Sequence, residues 1–294
     1  MKDYKNEYEV YLKTEKKASK NTFESYMRDL TQYFSYLQSA DLSPLEADSE
    51  IISVYISRLE RAGRSRSTLT RAVASLRCYY NFLFAMRLIK SVPDFSLRIP
   101  EKPKKFPEIL TNSEVKMLLS QPDCTDLKGC RDKAMLELMY ATGIKVSELI
   151  AITMSDINLG IGILHLRSSK SERVIPIYPE AVKVVENYIN KVRDLVVVDP
   201  NIDNLFTNMN GKPLTRQGFW KIIKHYAALA NINKDITPHT LRHSFAANLL
   251  ENGAPLRDIQ EILGHSDLSS TQIYAQLMRN RYARSYQKYH PMAK

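Results

Sequence analysis

The chain has 294 residues, 44% hydrophobic and 25% charged, enough apolar material for one large or two ordinary globular domains. Its 42 Lys and Arg against 32 Asp and Glu leave a net charge of +10, which favours a polyanionic partner, nucleic acid foremost, with ribosomal and membrane-surface roles left open by charge alone. No run approaches the roughly 18 apolar residues of a membrane span, the start MKDYKNEYEVYLK lacks a signal-peptide core, and Cys78, Cys124 and Cys130 form no CxxC pair, so a cytoplasmic setting is expected.

In chain order, apolar residues recur at helical spacing over 2–16 and 22–37, as in Phe23, Met27, Leu30, Phe34 and Leu37. Ser43-Pro44 breaks the pattern. Two more helices are predicted over 49–61 and 67–89, separated by Gly63, which completes a four-helix domain over 1–98. Between positions 58 and 90 the basic residues are Arg58, Arg61, Arg64, Arg66, Arg71, Arg77, Arg87 and Lys90, and Glu60 is the sole acid. One-signed charge on helices is the footprint of a phosphate-contacting surface, so these eight are the candidate DNA contacts.

Residues 99–110, IPEKPKKFPEIL, hold Pro100, Pro103 and Pro107 with three lysines and read as a stiff basic linker. A second domain is expected over 111–294. Its predicted elements are helices near 111–120 and 131–141, strands at 163–167 and 173–177, helices over 179–196 and 215–230, and a strand-like Leu205-Phe206-Thr207. The fold class is therefore mainly α, in two domains, with a small antiparallel sheet.

Most of the chemistry lies between Thr237 and Gln276, TPHTLRHSFAANLLENGAPLRDIQEILGHSDLSSTQIYAQ. Pro238 suits a first helical position, so His239 and Arg242, three apart, share a face and can grip one anion. That helix should stop near Gly253, and one over 255–263 should end at Gly264, which leaves His265 on a turn. Ser269 and Gln272 have capping-box spacing for a short helix that carries Tyr274. A helix–turn–helix path can bring His239, Arg242, His265 and Tyr274 together. His243 is assigned to packing or a local hydrogen bond.

The block HTLRHSFAANLLENGAPLRDIQEILGHSDLSSTQIY resembles the C-terminal active-site box of the tyrosine recombinases, and among them the Xer-type chromosome-resolving recombinases. The likeness continues upstream through ATGIKVSELIAITMSDI (141–157) and ERVIPI (172–177), and NTFESYMRDLTQYFSYL (21–37) resembles the family's DNA-clamping helical domain. It implies a C-shaped two-domain clamp around double-stranded DNA with a specific recombination site. It also implies a homo- or heterotetramer acting on two sites, with a DNA translocase as an additional partner, and no membrane.

The chemistry the resemblance implies is attack by Tyr274 on a phosphodiester, giving a 3′-phosphotyrosyl bond and a free 5′-hydroxyl. The stored bond is reused for rejoining, so neither a metal nor another cofactor is expected. A phenol with a pKa near 10 is a weak nucleophile at neutral pH, so His239 or His265 would accept its proton while Arg242 forks onto the phosphate. The sequence departs from the family twice. Lys145 stands where the family has its first catalytic arginine, keeping the charge and losing the planar fork. Ser168 occupies the usual position of the general-acid lysine, which leaves Lys170 as the candidate in the turn. Glu148 is expected to partner a nearby cation, and Asp267 to hold His265. The readings that stay open beside Xer-like dimer resolution are a mobile-element integrase of the same family, a type IB topoisomerase-like enzyme, and a weakened DNA-architectural protein.

Overall fold

In the computed structural model the described residues are 4–96, 107–167, 172–265, 271–276, 286–287 and 292. Ser168, Lys170, Asp267, Ser269, most of the linker and nearly all of the tail after Gln276 lie outside them. The chain divides into two compact units, Met1–Pro103 and Lys104–Lys294. Among the described residues no helix is long and apolar enough to cross a membrane.

The first unit is built from four helices, α1 (Lys5–Thr14), α2 (Lys20–Ser39), α3 (Ser49–Arg61) and α4 (Arg66–Ala85). Short polar side chains start three of them: Ser19, Asp48 and Ser65 accept hydrogen bonds from backbone N–H groups in the first turns of α2, α3 and α4. α4 stops short of the predicted 89 because Arg87 enters the left-handed region at φ 57°, and Leu88 N–H donates back to the Leu83 carbonyl at 2.9 Å. The core is aromatic, with Tyr8, Tyr33, Phe34, Tyr55, Tyr79, Tyr80 and Phe82 all buried. The buried hydroxyls of Tyr33 and Tyr80 satisfy each other at 2.8 Å.

The second unit begins with α5 (Asn112–Ser120), α6 (Leu127–Thr142) and the single turn α7 (Val146–Leu149). α6 starts four residues before the expected 131, because the Asp126 carboxylate accepts from Gly129 N–H at 2.6 Å and closes a first turn there. The sheet runs β1 (Ile157–Asn158), β2 (Ile163–Arg167) and β3 (Glu172–Pro176), all antiparallel. In the β2–β3 register Leu164 faces Ile175 and Leu166 faces Arg173. The strand-like Leu205-Phe206-Thr207 does not join this sheet; Thr207 makes only an isolated bridge with Pro213. Leu205 and Phe206 are both fully buried, so the segment lacks the alternation of a half-exposed strand and serves as a core plug.

From β3 the chain enters α8 (Pro179–Tyr188), passes through a π-helical turn (Ile189–Arg193) into α9 (Asp194–Val196), and later forms α10 (Arg216–Leu229). Two further helices, α11 (Pro238–Glu251) and α12 (Leu256–Leu263), lead to the helical residues 271–276. α6 and α11 run through the core of this unit, with most of α6 buried and Arg242 enclosed on α11.

Candidate active site

Thr237 caps α11 by accepting from Thr240 N–H at 3.2 Å, and Pro238 takes the first helical position, where its missing donor costs nothing. One turn on, Arg242 is only 4% exposed. Its Nη1 donates to the Gly143 carbonyl at 2.5 Å, and its Nη2 donates to the Leu263 carbonyl at 2.7 Å and to His265 Nε2 at 3.1 Å. These bonds use three of a guanidinium's five donors. They tie together the end of α6, the end of α12 and the turn that carries His265. Two glycines permit this closeness: a Cβ on Gly143, at φ +59°, would overlap the Phe245 ring, and one on Gly264, at φ +62°, would meet Arg173 Nη1 at 2.5 Å.

Because arginine only donates, His265 Nε2 accepts from Arg242, and His265 Nδ1 therefore carries the hydrogen that reaches Thr271 Oγ1 at 2.9 Å. Burial lowers the His265 pKa from the usual 6.5 to about 4, helped by the charges of Arg242 and Lys145, by His243 and by Arg173. His265 is thus a neutral ring with both nitrogens engaged. His239, by contrast, is exposed, and its ring lies 6.4 Å from that of His243 between centroids. The shared helical face expected for His239 and Arg242 leads one to solvent and the other into the core.

Lys145 is exposed at the start of α7, two residues after Gly143. Its backbone N–H donates to Glu148 Oε2 at 2.7 Å, and the same carboxylate receives Arg173 Nη2 at 2.9 Å. Arg173 also donates through Nε to the Ile262 carbonyl at 2.9 Å, which fastens β3 to the end of α12. Glu148 has the cation partner expected of it, and Arg173 is a site-building residue that the sequence did not single out. Among the described residues no group of three or more His, Cys, Asp or Glu side chains is placed to hold a metal ion.

Tyr274 is 1% exposed and packs with Phe245, Ala246, Ile259 and Leu263. Its hydroxyl lies 2.8 Å from Nδ1 of His243, which overturns the assignment of His243 to packing or a local bond. The contact spans 31 positions, so no helical spacing could have shown it. Burial raises the Tyr274 pKa above 10, opposed by the Arg242 charge, while burial, His239 and Arg242 bring His243 down to about 4.

The basic residues of the first unit do not form one patch. Arg58 and Arg61 end α3 and Arg64 and Arg66 lead into α4, whereas Arg87 and Lys90 lie past the far end of that helix, about 30 Å away for its 20 residues. Arg71 forks onto Asp29 through Nε at 2.8 Å and Nη2 at 2.9 Å, so the balancing acid comes from α2 rather than from the stretch itself. Arg77 donates to the Phe95 carbonyl at 3.3 Å and stacks over that ring.

Comparison with known proteins bears on the family and the fold. The model of the phage integrase family matches residues 108–281, and that of the phage integrase N-terminal SAM-like domain matches residues 6–86. The chain is 44% identical over 286 residues to a tyrosine recombinase XerD of Halalkalibacterium halodurans, covering 96% of each. It is 40% identical over 289 residues to a tyrosine recombinase XerD of Staphylococcus epidermidis, covering 98% of each. Among solved structures, the XerA recombinase matches at 28% identity with a TM-score of 0.55, over 97% of this chain and 99% of that one. A XerH site-specific recombinase in a post-cleavage complex with palindromic difH substrate shares the fold at a TM-score of 0.77 and 19% identity, over 96% of this chain and 84% of that one.

Proposed function

The chain belongs to the phage integrase family, as a site-specific tyrosine recombinase of the Xer type that transfers DNA strands, and from this we propose how its residues divide the work. Tyr274 is the nucleophile. Its oxygen bonds to phosphorus as the bond to the 5′-oxygen breaks; the phenolic proton passes to His239, the 5′-oxygen takes one from Lys170, and the 3′-phosphotyrosyl link keeps the bond energy for rejoining. The observation that carries this reading is the convergence of Arg242, His265 and Tyr274 through two hydrogen-bonded sets, Arg242–His265–Thr271 and His243–Tyr274, whose members are neighbours on α11 and on the helical residues 271–276.

Arg242 supplies fixed positive charge to the non-bridging oxygens through the two donors its present bonds leave over. His265 stays neutral and positions Arg242. His239 and Lys145, both exposed, meet the phosphate from the solvent side. Lys170, outside the described residues, is the proposed general acid for the 5′-oxygen. The domains are proposed to be 1–98 and 111–294 about the basic linker, with Arg58, Arg61, Arg64 and Arg66 as the principal phosphate contacts of the first. Action on two recombination sites calls for a tetramer of recombinases, with a translocase as a further partner, in the cytoplasm.

A second reading, a recombinase slow at cleavage, is favoured by Lys145, since an ammonium cannot fork onto two phosphate oxygens. A nicked suicide duplex tests both. Covalent protein–DNA that forms with the native chain and vanishes with Tyr274→Phe, at unchanged binding, supports the assignment; adduct that persists in the variant moves the nucleophile elsewhere. Native protein that binds but forms adduct only over hours supports the slow reading.

A further inference from the structure

We infer that His243 is a positioning residue that docks the Tyr274 hydroxyl in a buried resting place, from which it must be released before a strand can be cut. The inference rests on the assignment of Tyr274 as nucleophile and goes beyond it by giving the nucleophile an off position and naming what holds it there.

At 1% exposure, enclosed by Phe245, Ala246, Ile259 and Leu263, the Tyr274 ring leaves no room for a DNA phosphate to reach its oxygen. The hydroxyl is nevertheless satisfied. Its hydrogen needs an acceptor when buried, and His243 Nδ1 is the described partner, at 2.8 Å.

The helical residues 271–276 are held at two points three residues apart. Thr271, fully buried, meets His265 Nδ1 at 2.9 Å, and Tyr274 meets His243. Both partners belong to the framework set by Arg242, one as its neighbour on α11 and the other as its hydrogen-bond acceptor.

The groups around His243 determine what the contact can do. The His239 ring lies 6.4 Å away between centroids, and Arg242 and His265 both face it electrostatically. Burial, with His239 and Arg242, keeps the imidazole at about 4, while burial raises the phenol from its ordinary value. A proton shared by such a pair stays on the tyrosine oxygen. In this arrangement His243 therefore acts as a hold on a protonated nucleophile and is a poor base.

The test pairs hydrogen exchange with single-turnover cleavage, using the full chain and a nicked duplex that carries its recombination site. His243→Phe keeps the ring volume and removes the acceptor, with His243→Leu as a second variant in case the larger ring disturbs packing. Without DNA, residues 271–276 should exchange faster in both. Adduct formation should rise about fivefold, the equivalent of about 1 kcal/mol for one lost hydrogen bond. His243→Asn, whose amide can stand where Nδ1 stands, should reverse both effects. Unchanged exchange in the Phe and Leu variants would remove the hold. Slower cleavage in both would make His243 the proton acceptor instead, which also overturns the inference. Peptide mapping of the adduct separates either failure from that of the underlying assignment, because covalent DNA on another tyrosine would remove Tyr274 itself.

Discussion

Arg242 Nη2 donates to His265 Nε2 across 3.1 Å, and this bond decides the state of both residues. A guanidinium cannot accept, so the imidazole must, and its other nitrogen is left to hold Thr271. Arg242, proposed to face the phosphate, is thus fixed by the same ring that fixes the segment bearing Tyr274. Arg242→Lys keeps the charge and loses this three-way bracing. It should lower the single-turnover cleavage rate by roughly a hundredfold with DNA affinity changed little; equal rates would show that the fork plays no part in cleavage.

Acid should loosen this unit before the rest. His243 and His265 stand at about 4 in the folded chain against an ordinary 6.5, so the unfolded chain binds more protons in that interval. Stability conferred by the neutral rings is present above pH 6.5 and is lost as pH falls toward 4. Discounted for partial solvent exposure, the two should amount to roughly 1–3 kcal/mol. Urea unfolding at pH 7 and pH 5 should show this loss in the native chain and a smaller one in the His243→Asn, His265→Asn double variant. Identical losses would place the pH sensitivity elsewhere.

Lys145→Arg should restore a forked contact that strengthens as charge builds on the phosphate. Cleavage should rise roughly tenfold, about 1.4 kcal/mol of transition-state stabilisation, with binding nearly constant. A rate that stays level or falls would mean that the surrounding site is already matched to lysine.

Arg71 should separate from its basic neighbours. Asp29 is 6% exposed, and Arg71→Ala would leave its carboxylate buried without its forked partner. The expected cost is about 1–3 kcal/mol of stability, measured by denaturant unfolding. The paired change Arg61→Ala, Arg64→Ala should leave stability within about 0.5 kcal/mol and flatten the salt dependence of DNA binding by nearly two counterions. A flattened slope from Arg71→Ala, with stability intact, would reverse these roles.

What the sequence determined by itself was what depends on near neighbours. Apolar spacing and capping residues located most helices of both units. The strands at 163–167 and 173–177 were legible from their composition, and the block from His239 to Tyr274 carried the family in its residue types. Tertiary structure decided the contacts between positions far apart in the chain. Asp29 meets Arg71 across 42 positions, Tyr274 meets His243 across 31, and Gly143 meets Arg242 across 99. The same holds for Leu205-Phe206-Thr207, where β-type residues are drawn into the core instead of the sheet. Periodicity reports which face of a helix is apolar within a turn or two. Which carbonyl a buried guanidinium reaches, and which imidazole holds a phenol, follows from how several such helices pack.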